Sequence, residues 1–226
     1  MTNTLHRFGD ADSFRDDYVV FAIASRGKNE QDSVPKLQKF LDIARRFNPV
    51  NLGDARHGGA LRPSKAMNPL SHWNREITPD FGAVVAGLDT TTTAAAVFDN
   101  RVAAEDFVKA IKEADLGLSI NISTSIEGAE QCCDSAEICR HSVGYSLGFE
   151  GKTEKLPNSK VMLLSTMCGH GMVSHSLAKK MIDWVKEGRR TPEQAASYMT
   201  RFCSCGVFNP SRAKRFLEEV ARGESQ

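Results

Sequence analysis

Tyr18-Val19-Val20-Phe21-Ala22-Ile23-Ala24 is a continuous apolar run, rich in β-branched and aromatic residues, and the rest of the chain is read from it. A strand with one wet face alternates apolar and polar residues; a strand that does not alternate is covered on both faces. Such runs are typical of parallel sheets flanked by helices, so this one predicts a buried strand of an α/β fold. The next residues agree. Ser25-Arg26-Gly27-Lys28 reads as a loop. Ser33 and Pro35 then open a helical pattern with Leu37, Phe40, Leu41, Ile43, Ala44 and Phe47 on one side.

Working outward, three more strands are expected at Ala83–Leu88, Leu116–Ile122 and Val161–Leu164, with an edge segment around Tyr145–Phe149. Helical patterns separate them. One carries Val102, Ala103, Phe107, Val108 and Ile111, with Glu105 and Lys109 spaced for an i,i+4 ion pair. Another begins near Glu127, and a third runs from Val173 through Trp184 to Gly188. Thr191-Pro192-Glu193-Gln194 is a capping box with proline at the first helical position, and Asn209-Pro210 opens a last helix that stops at Gly223. Strand, loop and helix repeated about four times predict a mainly parallel sheet of four to five strands flanked by helices. The expected organisation is one α/β domain over residues 1–226, with a strand–loop–helix core at 18–170. Residues 171–223 are read as a helical cap, and 51–80, long and irregular, as a lid-like loop.

Bulk composition narrows the function. A hydrophobic fraction of 41% over 226 residues is ordinary for a globular chain. Lys and Arg total 29 against 28 Asp and Glu, which gives no basic excess for nucleic acid or a membrane surface. No apolar run is long enough to span a bilayer, and the acidic N-terminus has no signal-peptide core. Six cysteines without an export signal read as reduced cytoplasmic thiols or metal ligands. No Gly-rich phosphate loop or dinucleotide fingerprint follows a strand, so no nucleotide cofactor is expected. The partner expected is a small anionic substrate, and a homo-oligomer is compatible with the sequence.

In an open parallel sheet, ligands bind beyond the carboxyl ends of the strands. There the sequence places Ser25, Arg26 and Lys28; Asp89, Thr90 and Thr91; Asn121, Ser123 and Thr124; and Ser165 and Thr166. Hydroxyls with helix N–H groups and a cation suit a carboxylate, sulfonate or phosphate, with Arg56 and His57 closing over it from the lid. The alternative is that the same residues are ordinary helix N-caps.

Met167-Cys168-Gly169-His170-Gly171 carries the strongest chemical signal. Read as a strand-to-helix junction, it puts Cys168 at a helix N-terminus, where the dipole favours a thiolate, with His170 as proton partner. These five residues are similar to the cysteine motif of proline racemases and hydroxyproline epimerases, in which a thiol moves a proton and nearby amides hold the carboxylate. The chain has no second matching motif, and its strand–helix alternation differs from that fold, so the family is not adopted. The leading expectation is thus a lyase- or transferase-type enzyme acting on an anionic metabolite through Cys168. Cys203-Ser204-Cys205-Gly206 supplies the alternative: Cys168, Cys203 and Cys205 as ligands of a [4Fe–4S] cluster or zinc. A non-catalytic anion sensor is the third. Cys132, Cys133 and Cys139 sit at helical core spacing and are read as buried packing or, alternatively, a second ligand set.

Overall fold

The computed structural model describes residues 5–61, 79–144 and 148–223. Its sheet contains β1 (Tyr18–Ile23), β2 (Asn51–Asp54), β3 (Gly58–Gly59), β4 (Thr93–Phe98) and β5 (Ser119–Ser123), in the order β3-β2-β4-β1-β5. Every neighbouring pair is antiparallel, with Ile23 opposite both Thr93 and Ser119, and Asp54 opposite Ala94. The expected mainly parallel sheet is therefore corrected to an antiparallel one.

The topology explains why the sequence suggested otherwise. β1 leads through α1 (Ser33–Arg45) to β2, and β4 leads through α3 (Arg101–Ala114) to β5. Each of these strand–helix–strand units joins two strands of the same direction, as in a parallel sheet. In each, however, a strand of the other unit lies between them: β4 separates β1 from β2, and β1 separates β4 from β5. This is a split β–α–β arrangement. The alternation of elements is that of an α/β protein, and the pairing is antiparallel.

Both sheet faces are covered, as the unbroken apolar run implied. Tyr18, Val20, Ala22, Leu52, Ala94, Ala96 and Phe98 pack against α1, α3, α2 (Phe81–Gly87) and α4 (Ile126–Ser135). Phe107 of α3 anchors this side, its ring 5.0 Å from that of Phe98 and 5.2 Å from that of Phe40. The opposite residues, Val19, Phe21, Ile23, Ala95 and Val97, pack beneath α5 (Ser159–Ser165), α6 (His175–Lys186), α7 (Pro192–Thr200) and α8 (Pro210–Ala221). The C-terminal helices thus cover a face of the sheet rather than capping one end.

Two expected strands are helices. Phe81, Val84, Val85 and Leu88 fall at i, i+3, i+4 and i+7, and the Asp80 carboxylate accepts the Ala83 N–H at 2.9 Å, so Ala83–Gly87 lies in a capped helix with Leu88 as its C-cap. Val161–Leu164 lies in α5, whose N-cap Asn158 accepts from Val161 N–H at 3.0 Å. Short apolar runs look alike as buried strand or buried helix. Three strands were missed by pattern: β2 and β3, within the segment read as a loop, and β4, whose Ala94, Ala95 and Ala96 are buried between two helical layers, where small side chains permit close approach.

The expected loop 51–80 contains β2 and β3 at its start; Arg62, Lys65 and the rest of 62–78 lie outside the described residues. So do 145–147 of the expected edge segment, and Gly148–Phe149 form no strand. Glu105 pairs with Arg101 at 3.3 Å rather than with Lys109. Among the described residues, no helix is long and apolar enough to cross a membrane.

Candidate functional site

Antiparallel pairing divides the expected anion rim between two ends of the sheet. At one end, β1 and β2 finish and β4 and β5 begin. Ser25, Arg26, Lys28, Arg56, His57, Asp89, Thr90 and Thr91 all lie in the loops of this end. At the other end are Ser123 and Thr124, with Asn121 inside β5. There the hydroxyls serve the fold. Ser123 O and Oγ accept from the Arg7 guanidinium, and Thr124 Oγ1 donates to Phe14 O. Thr166 Oγ1 accepts the Phe8 N–H at 2.9 Å and donates to Met162 O, and buried Ser165 donates to Met162 O. A single rim of four strand ends is thus corrected to a gathered half and a structural half.

The structural half centres on Asp17, which is fully buried. Its carboxylate accepts from Arg7 at 2.6 Å, Arg212 at 2.7 Å and Asn209 Nδ2 at 3.0 Å, tying the N-terminal segment and α8 to the start of β1. Burial pushes the Asp17 pKa up, but the two guanidiniums and the Asn209 bond outweigh it and hold the carboxyl below its ordinary value. A cleft of about 970 Å³ opens beside this cluster, bordered by Asp12, Arg15, Asp16, Lys160 and Arg215; none of the cysteines lines it.

Cys168 does not sit at a helix N-terminus. α6 begins at His175 and is capped by Ser174, so Cys168 belongs to the turn that follows α5. That turn has Gly169 at φ +71°, and a Cβ there would stand 2.7 Å from the Leu5 side chain. Cys168 is sealed in the core beneath the C-terminal helices. A hydrogen bond to Cys203, burial and the charge that Cys203 can carry push its thiol well up, against the opposing pull of the His170 and Met172 N–H groups.

The same turn meets the loop between α7 and α8. Cys203 hydrogen-bonds to Cys168, Cys203 Sγ lies 3.9 Å from Cys205 Sγ, and Cys205 Sγ lies 3.2 Å from His170 Nδ1. The two cysteine groups of the sequence are therefore one cluster, with His170 as its outer member. Backbone N–H groups converge on the sulfurs. Cys168 Sγ accepts from His170 and Met172, and Cys203 Sγ from Val207 and Phe208 at 3.3 Å each and from Cys205. The Cys168 bond pulls the Cys203 pKa down, while the bond with Cys205 and burial push it up, with a net rise to about 11. The four side chains are strung edge to edge rather than closed around a point. Among the described residues, no group of three or more Cys, His, Asp or Glu side chains is arranged so that it could hold a metal ion.

The loop is seated on the sheet by backbone contact. Gly206 has φ +73°, and a Cβ on it would lie 2.7 Å from Gly53 N; a Cβ on Gly59 would lie 2.7 Å from Gly206 Cα. Asn51 Nδ2 donates to Phe208 O at 2.9 Å alongside. The other cysteines are remote. Cys132 packs on the opposite sheet face, where burial pushes its pKa up to about 12, Cys133 is half-buried and Cys139 exposed. The sheet separates Cys132 from Cys168.

The gathered half of the rim has one feature that the sequence reading missed. Asp54, buried at the end of β2, accepts the N–H groups of Arg56 and His57 at 2.8 Å each and His57 Nδ1 at 3.1 Å. The other ring nitrogen of His57 lies 3.3 Å from Asp89 Oδ1. The D-x-x-H spacing of Asp54 and His57 was the available signal. No protein-family model, curated protein or solved structure matches the chain.

Proposed function

We propose that the protein binds one zinc ion through Cys168, Cys203, Cys205 and His170, and that the ion pins the C-terminal helices to the sheet. The four donors are not gathered around one point in the structure and must draw together to bind an ion; the observation that carries this reading is two contacts between successive donors. Thiolates about 2.3 Å from a tetrahedral zinc stand about 3.8 Å from one another, and a thiolate and an imidazole nitrogen about 3.6 Å apart. The Cys203–Cys205 contact of 3.9 Å is close to the sulfur–sulfur edge, and the Cys205–His170 contact of 3.2 Å is somewhat shorter than the sulfur–nitrogen edge. A cubane iron–sulfur cluster needs its cysteine sulfurs spread around a much larger body, so sulfurs in mutual contact favour zinc.

The amide N–H groups on Cys168 and Cys203 support the same reading. A neutral thiol is a weak acceptor, whereas a metal-bound thiolate is stabilised by such bonds. Without a cation the buried thiols stay protonated, which gives little support to Cys168 as a free thiolate nucleophile. Four protein donors leave no open coordination position, so the ion's part is structural. None of the six cysteines is in a disulfide, which suits a reducing compartment, and we place the protein in the cytoplasm.

Metal analysis and native mass spectrometry of protein made anaerobically in zinc-supplemented medium test the proposal. One zinc per chain is expected, lost in Cys203→Ser and Cys205→Ser and kept in Cys139→Ser. Cobalt replacement should give tetrahedral absorption with thiolate charge-transfer bands. Iron with labile sulfide, or metal-free protein, overturns it.

A further inference from the structure

We propose that the protein forms a two-fold symmetric dimer in which the outer edge of β5 pairs with β5 of a second copy, so that two sheets become one. This does not rest on the zinc reading. The strand order puts β3 and β5 at the edges of the sheet. The β3 edge is blunt, since it consists of Gly58 and Gly59 alone. β5 is longer, Ser119-Ile120-Asn121-Ile122-Ser123, and pairs with β1 residue for residue. It has no charge, no proline and no bulge, the devices that ordinarily stop an edge strand from pairing further. Every residue of β1 is buried, whereas every residue of β5 is only half-buried.

The register shows which groups face outward. Ala55 N–H donates to Thr93 O, so Thr93, Ala95 and Val97 turn their backbone groups toward β2. Successive residues of an antiparallel ladder turn to alternate sides. Ala94, Ala96 and Phe98 therefore face β1, and Val19, Phe21 and Ile23 face Ser123, Asn121 and Ser119. The N–H and C=O groups of Ile120 and Ile122 are left pointing out of the sheet, and among the described residues none pairs with them. The Arg7 guanidinium takes Ser123 O and Oγ, neither of which belongs to that outward set.

The strand is its own complement. Ser-Ile-Asn-Ile-Ser reads the same in both directions. An antiparallel copy centred on Asn121 sets Ile120 against Ile122 of the second copy, and Ser119 against Ser123. The isoleucine pairs carry the outward groups, so each exchanges both N–H···O bonds. The side chains agree. Leu118, Ile120 and Ile122 are half-buried on the face covered by α3 and α4, where the isoleucines of two copies would cover one another. Asn121 lies on the other face and makes no side-chain hydrogen bond among the described residues. On the axis it meets itself, and the two amides can donate to each other. Such a contact is isologous and closes at two copies.

Sedimentation velocity of the full chain over a concentration series, together with amide hydrogen exchange of the wild type, tests the proposal. A monomer–dimer equilibrium is expected, and the Ile120 and Ile122 amides should exchange more slowly as dimer accumulates. Asn121→Lys and Asn121→Asp each place like charges opposite one another on the axis, and each should sediment as a monomer with its circular dichroism spectrum unchanged. Mixed in equal amounts, the two variants should restore the dimer. A wild type that is monomeric at every concentration overturns the proposal. So does a dimer that persists in either charged variant alone, or exchange at Ile120 and Ile122 that is independent of concentration. The exchange measurement needs no variant and so stands even where a substitution disturbs folding.

Discussion

Cys205 Sγ stands 3.2 Å from His170 Nδ1, although 35 residues separate them in sequence. The contact joins a turn that follows α5 to the loop between α7 and α8, and both lie on one face of the sheet. A cation held there would clamp three helices and a strand hairpin at once.

Removing that ion should destabilise the whole protein. Free zinc at one hundred times its dissociation constant stabilises a native state by about 2.7 kcal/mol, which for a chain of this size is roughly 5–11 °C in melting temperature. Calorimetry with and without a strong chelator measures the difference. Cys203→Ser should melt at the same temperature in both conditions.

Gly206→Ala places a methyl group 2.7 Å from Gly53 N at φ +73°. Backbone cannot yield as a side chain can, so the cost should exceed about 1 kcal/mol. Zinc should also exchange faster in this variant, because the displaced loop carries Cys203 and Cys205. Urea denaturation and competition with a chromophoric chelator report the two effects.

Asp17→Asn leaves the Arg7 and Arg212 guanidiniums buried without their counter-charge. Breaking a buried ion pair from one side typically costs about 3–5 kcal/mol. Equilibrium unfolding in urea should show a loss of that order, with zinc stoichiometry unchanged.

The same carboxylate predicts an acid limb. Its folded-state pKa lies below the unfolded value, which is about 3.9. Its stabilisation is therefore fully present above the unfolded pKa and is lost as pH falls through the folded pKa. The stability gap between wild type and Asp17→Asn should be constant near neutrality and narrow on acidification below about pH 4. Circular dichroism at a series of pH values measures it; a gap that widens in acid would contradict the assignment.

Thr191 Oγ1 accepts the Gln194 N–H, and Gln194 Oε1 accepts the Thr191 N–H, each at 3.2 Å. Thr191→Ala should cost about 0.5–2 kcal/mol through α7 alone. Metal content should not change.

The local features were legible in the sequence. The capping box at Thr191, the last helix at Asn209-Pro210, the helix starting at Ser33 and the double-sided burial of β1 follow from capping chemistry, proline geometry and the lack of alternation. Ala83–Leu88 and Val161–Leu164 misled because runs of that length carry no decisive period, and β4 was hidden because alanine favours helices wherever packing does not decide.

Residue order alone shows which segments are apolar, where several helices start and stop, and that Cys168, His170, Cys203 and Cys205 carry donor chemistry. The folded chain set strand direction, because one alternation of strands and helices serves a parallel sheet and a split antiparallel one alike. It also decided that the two cysteine motifs meet and that Asp54, His57 and Asp89 share one end of the sheet. Those are contacts between distant segments, set by how helices cross between non-adjacent strands, and no local pattern encodes them.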